Sequence, residues 1–352
     1  MVLQDTSASR NGRIPEHGAG GTSGPGEPSE TGGPPDSEGT LGAAPWSILV
    51  VGAASRDVTP DDPRGWRLGG AACYAALTLA GLGLPVRALI GVDAFAAESI
   101  ELDLLRQAGV ALQLAPLGRG PVFRNDERPA GREQVAIEIA DRLPVSALPP
   151  GWNESRALIA NPIASELGDD WLDVIPDAVH LAVGWQGLLR ELVAGEPVRH
   201  RSPHPSPLLR RAELVSLSRS DVDPTTPIAS LERLVGPETS LLITDADRGG
   251  LLGEPAGLPG RRRWRTYPAI PADRVVDPTG AGDVFLAALV AVRMAPELLD
   301  GPPGPGADLR FAAAAASLSV EAPGLAGVPG LPALRRRSAE ATIRLRGSRP
   351  SA

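Results

Sequence analysis

The feature that most constrains this chain is the stretch Asp277-Pro278-Thr279-Gly280-Ala281-Gly282-Asp283-Val284-Phe285. A short β-like piece, Arg274-Val275-Val276, precedes it, and an apolar, Ala-rich run without breakers, Leu286 to Met294, follows. That order predicts strand, glycine turn, helix. The glycines on either side of Ala281 permit a tight bend and a close approach of ligand to backbone. Amides at a helix start lack intrahelical partners and, with the helix dipole, favour an anion. Asp283 lies in the same turn. A carboxylate is ill suited to holding phosphate, because like charges repel, but well suited to taking a proton from a hydroxyl that attacks phosphate. An anion cradle and a base in one turn make a phosphoryl-transfer device. A plain glycine turn before a core helix would use the same glycines, so the rest of the chain must decide between the two.

The stretch resembles the C-terminal signature of the ribokinase-like (PfkB) carbohydrate kinases, whose usual form is D-T-x-G-A-G-D; Pro278 and Thr279 after Asp277 make a mild variant. The resemblance runs from about residue 48 to 332. It implies a ribokinase-like three-layer α/β fold with a mainly parallel central sheet and a small β lid. It also implies that Asp283 is the base and that Gly280, Ala281 and Gly282 supply amides for the charge on the transferring phosphate. Thr279 and Asp277 would steady the turn, with Thr279 on the nucleotide side and Asp277 near a cation. ATP and Mg²⁺, with a monovalent cation, are the cofactors such a kinase uses.

Composition removes other classes. A formal net charge of −8 and a pI near 5.2 argue against a nucleic-acid partner. All 34 basic residues are Arg, so the lysine of a P-loop NTPase is missing. Cys73 is the single cysteine, which excludes an internal disulfide and a cysteine-rich zinc site. No apolar run reaches membrane-spanning length and no secretion signal opens the chain, so a cytoplasmic protein without a membrane partner is expected.

Taken in order, residues 1–44 are Gly, Pro, Ser and Glu rich and read as a disordered tail, because they cannot bury enough surface to offset ordering. Residues 45–334 read as the kinase domain, with lid elements within about 118–140, and 335–352 as a basic, solvated C-terminal tail. Trp46 to Gly52 reads as a strand buried on both faces. Asp57 follows Gly52 by five residues, and in the family an Asp at this offset binds substrate hydroxyls; a turn Asp at a strand end is the bland alternative. Leu68-Gly69-Gly70 then enters an apolar helix. The family has such a glycine pair in its substrate site, with an Asn four residues beyond the second Gly. Here that position is Tyr74, either a substrate contact or a core aromatic.

Further strands are expected at Val86–Ile90, Val110–Ala115, Ala157–Asn161, Val179–Val183, Ala212–Leu217 and Ser240–Thr244, and helices at Glu98–Ala108, Trp171–Ile175 and Leu309–Val320. Alternating apolar pieces at Val122–Arg124 and Gln134–Ile139 predict a half-exposed hairpin, which the resemblance assigns to the lid. After the strand at Val183, Gln186 and Arg190 are candidates for contacts near phosphate and sugar. The Pro- and Arg-rich run from Pro197 to Pro207, with His200 and His204, reads as a surface loop. Ser218 and Asp221 stand where many family members have Asn-x-x-Glu, so a metal role for Asp221 would act through water. Thr244 and Gly249 match the family's Thr-x-Gly-x-x-Gly nucleotide turn, whose middle glycine is here Ala246. Arg261-Arg262-Arg263 reads as a solvated turn. Ala313 lies on the small-residue helix that borders the adenine pocket in the family.

These residues predict transfer of the ATP γ-phosphate to a hydroxyl of a sugar or polyol by a PfkB-type kinase. A nucleoside kinase of the same fold is one alternative. A catalytically silent sugar- or nucleotide-binding regulatory paralogue, motivated by Tyr74, Ser218 and Ala246, is another. A homodimer paired through the lids is a further expectation.

Overall fold

The computed structural model describes residues 47–128, 131–258, 260–300 and 304–347. The tail 1–46, including Trp46, the start of the 301–306 loop and the last residues 348–352 lie outside them. In the first half, the strands are β1 (Ile48–Ala53), β2 (Ser55–Val58), β3 (Trp66–Gly69), β4 (Val86–Val92), β5 (Ala111–Pro116), β6 (Val122–Arg128), β7 (Gly131–Glu138) and β8 (Ala157–Ala160). In the second half come β9 (His180–Gly184), β10 (Arg190–Glu191), β11 (Glu196–Pro197), β12 (Arg199–His200), β13 (Leu214–Ser218), β14 (Ser240–Thr244), β15 (Gly250–Pro255) and β16 (Arg262–Tyr267). The helices are α1 (Ala71–Gly81), α2 (Ala94–Ala97), α3 (Glu101–Gln107), α4 (Pro207–Arg211), α5 (Ile228–Glu232), α6 (Ala281–Met294), α7 (Ala307–Ser319) and α8 (Leu331–Gly347).

Nine strands form one sheet in the order β16-β15-β14-β13-β9-β8-β1-β4-β5. The pairs from β5 through β14 are parallel, and only β15 and β16 run antiparallel at the edge. β1 shows why the sheet sits in the middle of the molecule. Ile48 and Val50 point into the apolar layer that holds α1, α6 and α7, whereas Leu49 and Val51 point into the layer that holds Trp171, Trp185 and Leu209. A strand apolar on both faces is stable only with cover on both sides. Small residues let α6 and α7 pack tightly on the first side: Ala287, Ala288, Ala291, Ala312, Ala314 and Ala315 are all fully buried.

A second sheet, β11-β7-β6-β2-β3, stands off the C-terminal edge of β1. It contains the expected 122–139 hairpin as β6 and β7. The chain passes from the main sheet to this lid at Ala53–Ser55 and returns at Gly69–Ala71. The return crosses directly over the exit: a Cβ on Gly70, which lies at φ 103°, would meet Ala53 O at 2.5 Å and Ala54 Cα at 2.9 Å. Only glycine tolerates that crossing and that backbone angle.

Several sequence expectations change. Arg274–Val276 is not a strand: the Val276 and Asp277 amides both donate to Val320 O just beyond the end of α7, at 2.7 and 3.1 Å. No sheet neighbour is left for that segment, because the sheet ends at β16. The expected helix at 98–108 is α3, which starts only at Glu101, and a short unexpected helix, α2, precedes it, capped by Asp93 through the Phe95 and Ala96 amides. In place of the expected helix at 171–175 there is a 3₁₀ turn, Asp169–Val174, with Ile175 extended after it. Arg262 and Arg263 belong to β16 rather than to a turn. Arg335–Arg337 are not in a solvated tail but in α8. Arg337 is only 9% exposed and binds Asp273, Glu321, Ser317 Oγ and Pro271 O, which pins the loop before the signature onto α7.

Candidate active site

The C-terminal ends of β1, β8, β9, β13 and β14 lie side by side, and in an open parallel sheet that edge is where ligands bind. The signature turn faces it. Gly280 is the N-cap of α6 and lies in the left-handed region at φ 80°. Its position is also sterically glycine-only, because the ring of Tyr74 fills the space a Cβ would take, with Cδ1 and Cε1 at 2.5 Å. Gly282 is exposed with nothing near its missing side chain, so the backbone there stays open to a ligand. The Gly280 and Gly282 amides have no hydrogen-bond partner among the described residues, while the Ala281 amide makes a long bond of 3.4 Å to Pro278 O. Two of the three amides expected to meet an anion thus lack a protein partner at this helix start.

Asp283 sits in the first turn of α6. Its Oδ1 accepts a hydrogen bond from Asn161 Nδ2 at 3.1 Å. Burial pushes its pKa up to about 7, with the Asp221 charge adding to the rise and the Asn161 hydrogen bond and the Arg190 charge opposing it. A carboxylate with that affinity for protons suits a general base near neutral pH. Asn161 is a residue of this candidate site that sequence reasoning missed. It is 1% exposed, follows β8, and donates its backbone N–H to Val51 O. Gly52, next to the end of β1, and Gly184, ending β9, make room for it: Cβ atoms there would stand 2.7 Å from Asn161 O and 1.8 Å from Oδ1. The available signal was Asn-Pro at the end of a central strand.

Asp57 lies on β2 of the lid sheet, not at the end of β1. Its Oδ1 accepts from Ser55 Oγ at 2.9 Å, and its Oδ2 lies 2.3 Å from where a Gly69 Cβ would be. The Gly69-Gly70 pair thus has one cause at each residue. Gly69 clears the Asp57 carboxylate, and Gly70 lets the two lid connections cross.

Arg190, on β10, joins these parts. It lies over the Phe123 ring of the lid at 5.5 Å and donates a long bond of 3.3 Å to Ile163 O. Burial lowers its pKa, and the charges of Asp221, Asp283, Asp57 and Glu166 oppose that shift. The charges of four carboxylates thus act on one guanidinium. Gln186 Nε2 reaches Asp221 Oδ1 at 3.3 Å, and Asp221 Oδ2 caps its own turn by accepting from Ser218 N at 2.8 Å. Glu166, also missed, is a buried carboxylate that accepts the amides of Ala53, Ile163 and Ala164. It clips the start of the lid connection to the loop after β8.

On the donor side, the register pairs Thr244 with Ser218 at adjacent strand ends. Gly249 (φ 89°) has Tyr267 O only 2.1 Å from its Cβ position, so it serves the turn itself. Ala246 adopts φ 46°, the left-handed conformation that the glycine of the family pattern takes freely. Asp277 fastens the signature: Oδ1 accepts from Thr279 N and Oδ2 from Gly324 N, both at 3.0 Å. Ala313 is 6% exposed and belongs to the core, so the expected contact with a base is not open at that residue. Tyr74 is 2% exposed and its ring packs against Gly280 of the signature turn.

No cluster of three or more metal-binding side chains occurs among the described residues. Both oxygens of Asp221 and of Asp277 already accept protein hydrogen bonds. These donor groups fit a Mg²⁺ carried on donor phosphates and reached through water, not one caged by the protein.

Residues 213–332 match the family described as pfkB family carbohydrate kinase. No curated protein matches the chain. Among solved structures, a pyrophosphate-dependent kinase in the ribokinase family, complexed with a pyrophosphate analog and myo-inositol, is 22% identical, with a TM-score of 0.64 over 84% of this chain and 99% of its own. Arabidopsis thaliana ribokinase, complexed with ribose and ATP, is 18% identical, with a TM-score of 0.58 over 83% of this chain and 98% of its own. The nucleoside kinase of Methanocaldococcus jannaschii is 16% identical, with a TM-score of 0.60 over 84% and 98%. At these identities the likeness is one of fold.

Proposed function

Starting from a ribokinase fold with a PfkB carbohydrate-kinase segment over residues 213–332, we propose that this protein transfers a phosphoryl group from a polyphosphate donor, ATP in the first instance, to a hydroxyl of a sugar or polyol. One observation carries the reading. A carboxylate with a pKa near 7 shares its helix turn with backbone amides that have no protein partner.

Asp283 takes the proton of the attacking hydroxyl, and Asn161 orients the carboxylate through Oδ1. The amides of Gly280 and Gly282 meet the charge that develops on the transferring group. Arg190 supplies the nearby positive charge. Asp57 accepts hydroxyl hydrogen bonds of the acceptor across the cleft. Bound Mg²⁺ would neutralise donor phosphate charge, and Asp221, held by Gln186 and Ser218, would meet it through water. The lid would exclude water from the transfer.

Exposed Val275 and Val276 (70% and 48%) next to the signature offer an apolar ledge for a nucleotide base. Buried Ala313, together with the pyrophosphate-dependent relative, makes pyrophosphate the second donor to test. The discriminating experiment crosses the donors ATP and pyrophosphate with the acceptors ribose, fructose, myo-inositol and adenosine, and follows product by ³¹P NMR. Transfer with at least one pair is expected, with a loss of about 10²–10⁴-fold in Asp283→Asn. Full turnover by that variant, or ligand-induced thermal stabilisation with no transfer for any pair, would overturn it. The latter outcome favours a silent binding protein.

A further inference from the structure

The carboxylate of Glu166 has no part in the transfer scheme, yet it is 1% exposed and binds the backbone on both of its oxygens. Oε1 accepts from Ala53 N at 3.0 Å and from Ile163 N at 3.2 Å. Oε2 accepts from Ile163 N at 3.1 Å and from Ala164 N at 2.8 Å. Burial raises its pKa, and these amides oppose the rise. A buried acid is costly unless it is hydrogen-bonded, and here every partner is a donor. Ala53 ends β1, whereas Ile163 and Ala164 lie in the loop after β8. One side chain therefore ties that loop to an interior strand of the main sheet.

The loop begins with Asn161, whose Nδ2 donates to Oδ1 of the proposed base Asp283 at 3.1 Å. Where the loop sits thus bears on where the base stands. Other ties converge on it. Gly187 N donates to Pro162 O at 3.0 Å, and Ser165 Oγ donates to Gly187 O at 2.8 Å. A Cβ on Gly187 would stand 2.5 Å from Pro162 C and O, so the close approach requires glycine there. Ser165 itself lies at φ 59°, an uncommon angle for a residue with a side chain, and such a backbone persists where its surroundings hold it.

The same loop also carries the lid. Ile163 and Ala164 share one apolar cluster with Phe123 of β6 and Ala136 of β7. A segment shared by lid and base needs an anchor outside both, and Glu166 supplies it at the end of β1.

We propose that Glu166 is a positioning residue for the transfer: by holding the loop over residues 161–165 against the end of β1 it fixes Asn161, and through Asn161 the carboxylate of Asp283. The inference rests on the kinase reading above and extends it. Glu166 meets neither donor nor acceptor in this scheme, so it acts on turnover and not on donor binding.

The test uses the full chain, the most active donor and acceptor from the panel, and a double-mutant cycle between Glu166→Gln and Asn161→Ala. Gln keeps the size of the side chain but has one oxygen and one NH2 group, which would face the amide of Ala53 or of Ala164 donor to donor. In Glu166→Gln, kcat should fall about tenfold, with the donor KM within about twofold of the parent. Because the effect passes through Asn161, the double variant should match Asn161→Ala alone to within about twofold. Ser165→Ala cuts only the bond to Gly187 O. It should show a smaller fall in kcat with the same dependence on Asn161, and it decides the question if Glu166→Gln does not fold. A parent-like kcat in the folded variants, or losses that multiply in the cycle, overturns the assignment while the kinase reading stands. Absence of transfer by the parent protein removes the kinase reading, and this inference falls with it.

Discussion

Replacing Asp283 by Asn should stabilise the protein, and by an amount that depends on pH. The carboxyl ordinarily ionises near 3.8, but burial raises it to about 7 in the folded chain. A folded-state pKa above the unfolded value means that the folded protein binds the proton more tightly. The associated stability is fully present below the ordinary carboxylate range and is lost as pH rises through 7. Three pKa units correspond to about 4 kcal/mol, an upper figure because the cleft relaxes and admits water. Asn cannot ionise and does not suffer this loss. Urea unfolding of parent and variant at about pH 5.5 and about pH 8.5 isolates the effect, since only the last one and a half units below 7 fall in that window, worth about 2 kcal/mol. The stability difference in favour of Asp283→Asn should therefore grow by about 2 kcal/mol between the two pH values, even as transfer is lost at both. A difference that stays constant with pH would refute the reasoning, because it would mean that the cleft does not hold the proton on this carboxylate.

Two further outcomes follow from neighbouring residues. Asn161→Ala removes the hydrogen bond that opposes the rise at Asp283. The acid limb of kcat/KM against pH should move upward by about one unit, so that activity lost near neutrality returns in alkaline buffer; a loss equal at all pH values would assign Asn161 to packing alone. Ala246→Gly relieves a left-handed alanine at φ 46°. It should raise stability by about 0.5–1 kcal/mol in urea unfolding, since the steric relief exceeds the extra entropy of an unfolded glycine; a destabilised variant contradicts it.

The sequence alone determined the layered α/β architecture and the transfer turn. Strands apolar on both faces require cover on both sides, and glycines before an Ala-rich run announce a helix start whose amides lack partners. These signals are local in the chain, so Asp283, Gly280 and the Gly69-Gly70 pair could be read directly. Only the tertiary structure decided what meets them. Asn161 and Asp283 are 122 residues apart, and no local pattern can announce a hydrogen bond made by bringing the end of β8 to the start of α6. Glu166 was silent for the same reason, because its partners are backbone amides, which carry no sequence mark. Arg274–Val276 has the composition of a strand but no neighbour to pair with, and Arg337 looks like surface charge until α8 folds it against Asp273 and Glu321. Tyr74 could be read as core or as contact, and the packing of α1 against α6 buries it with its ring under Gly280.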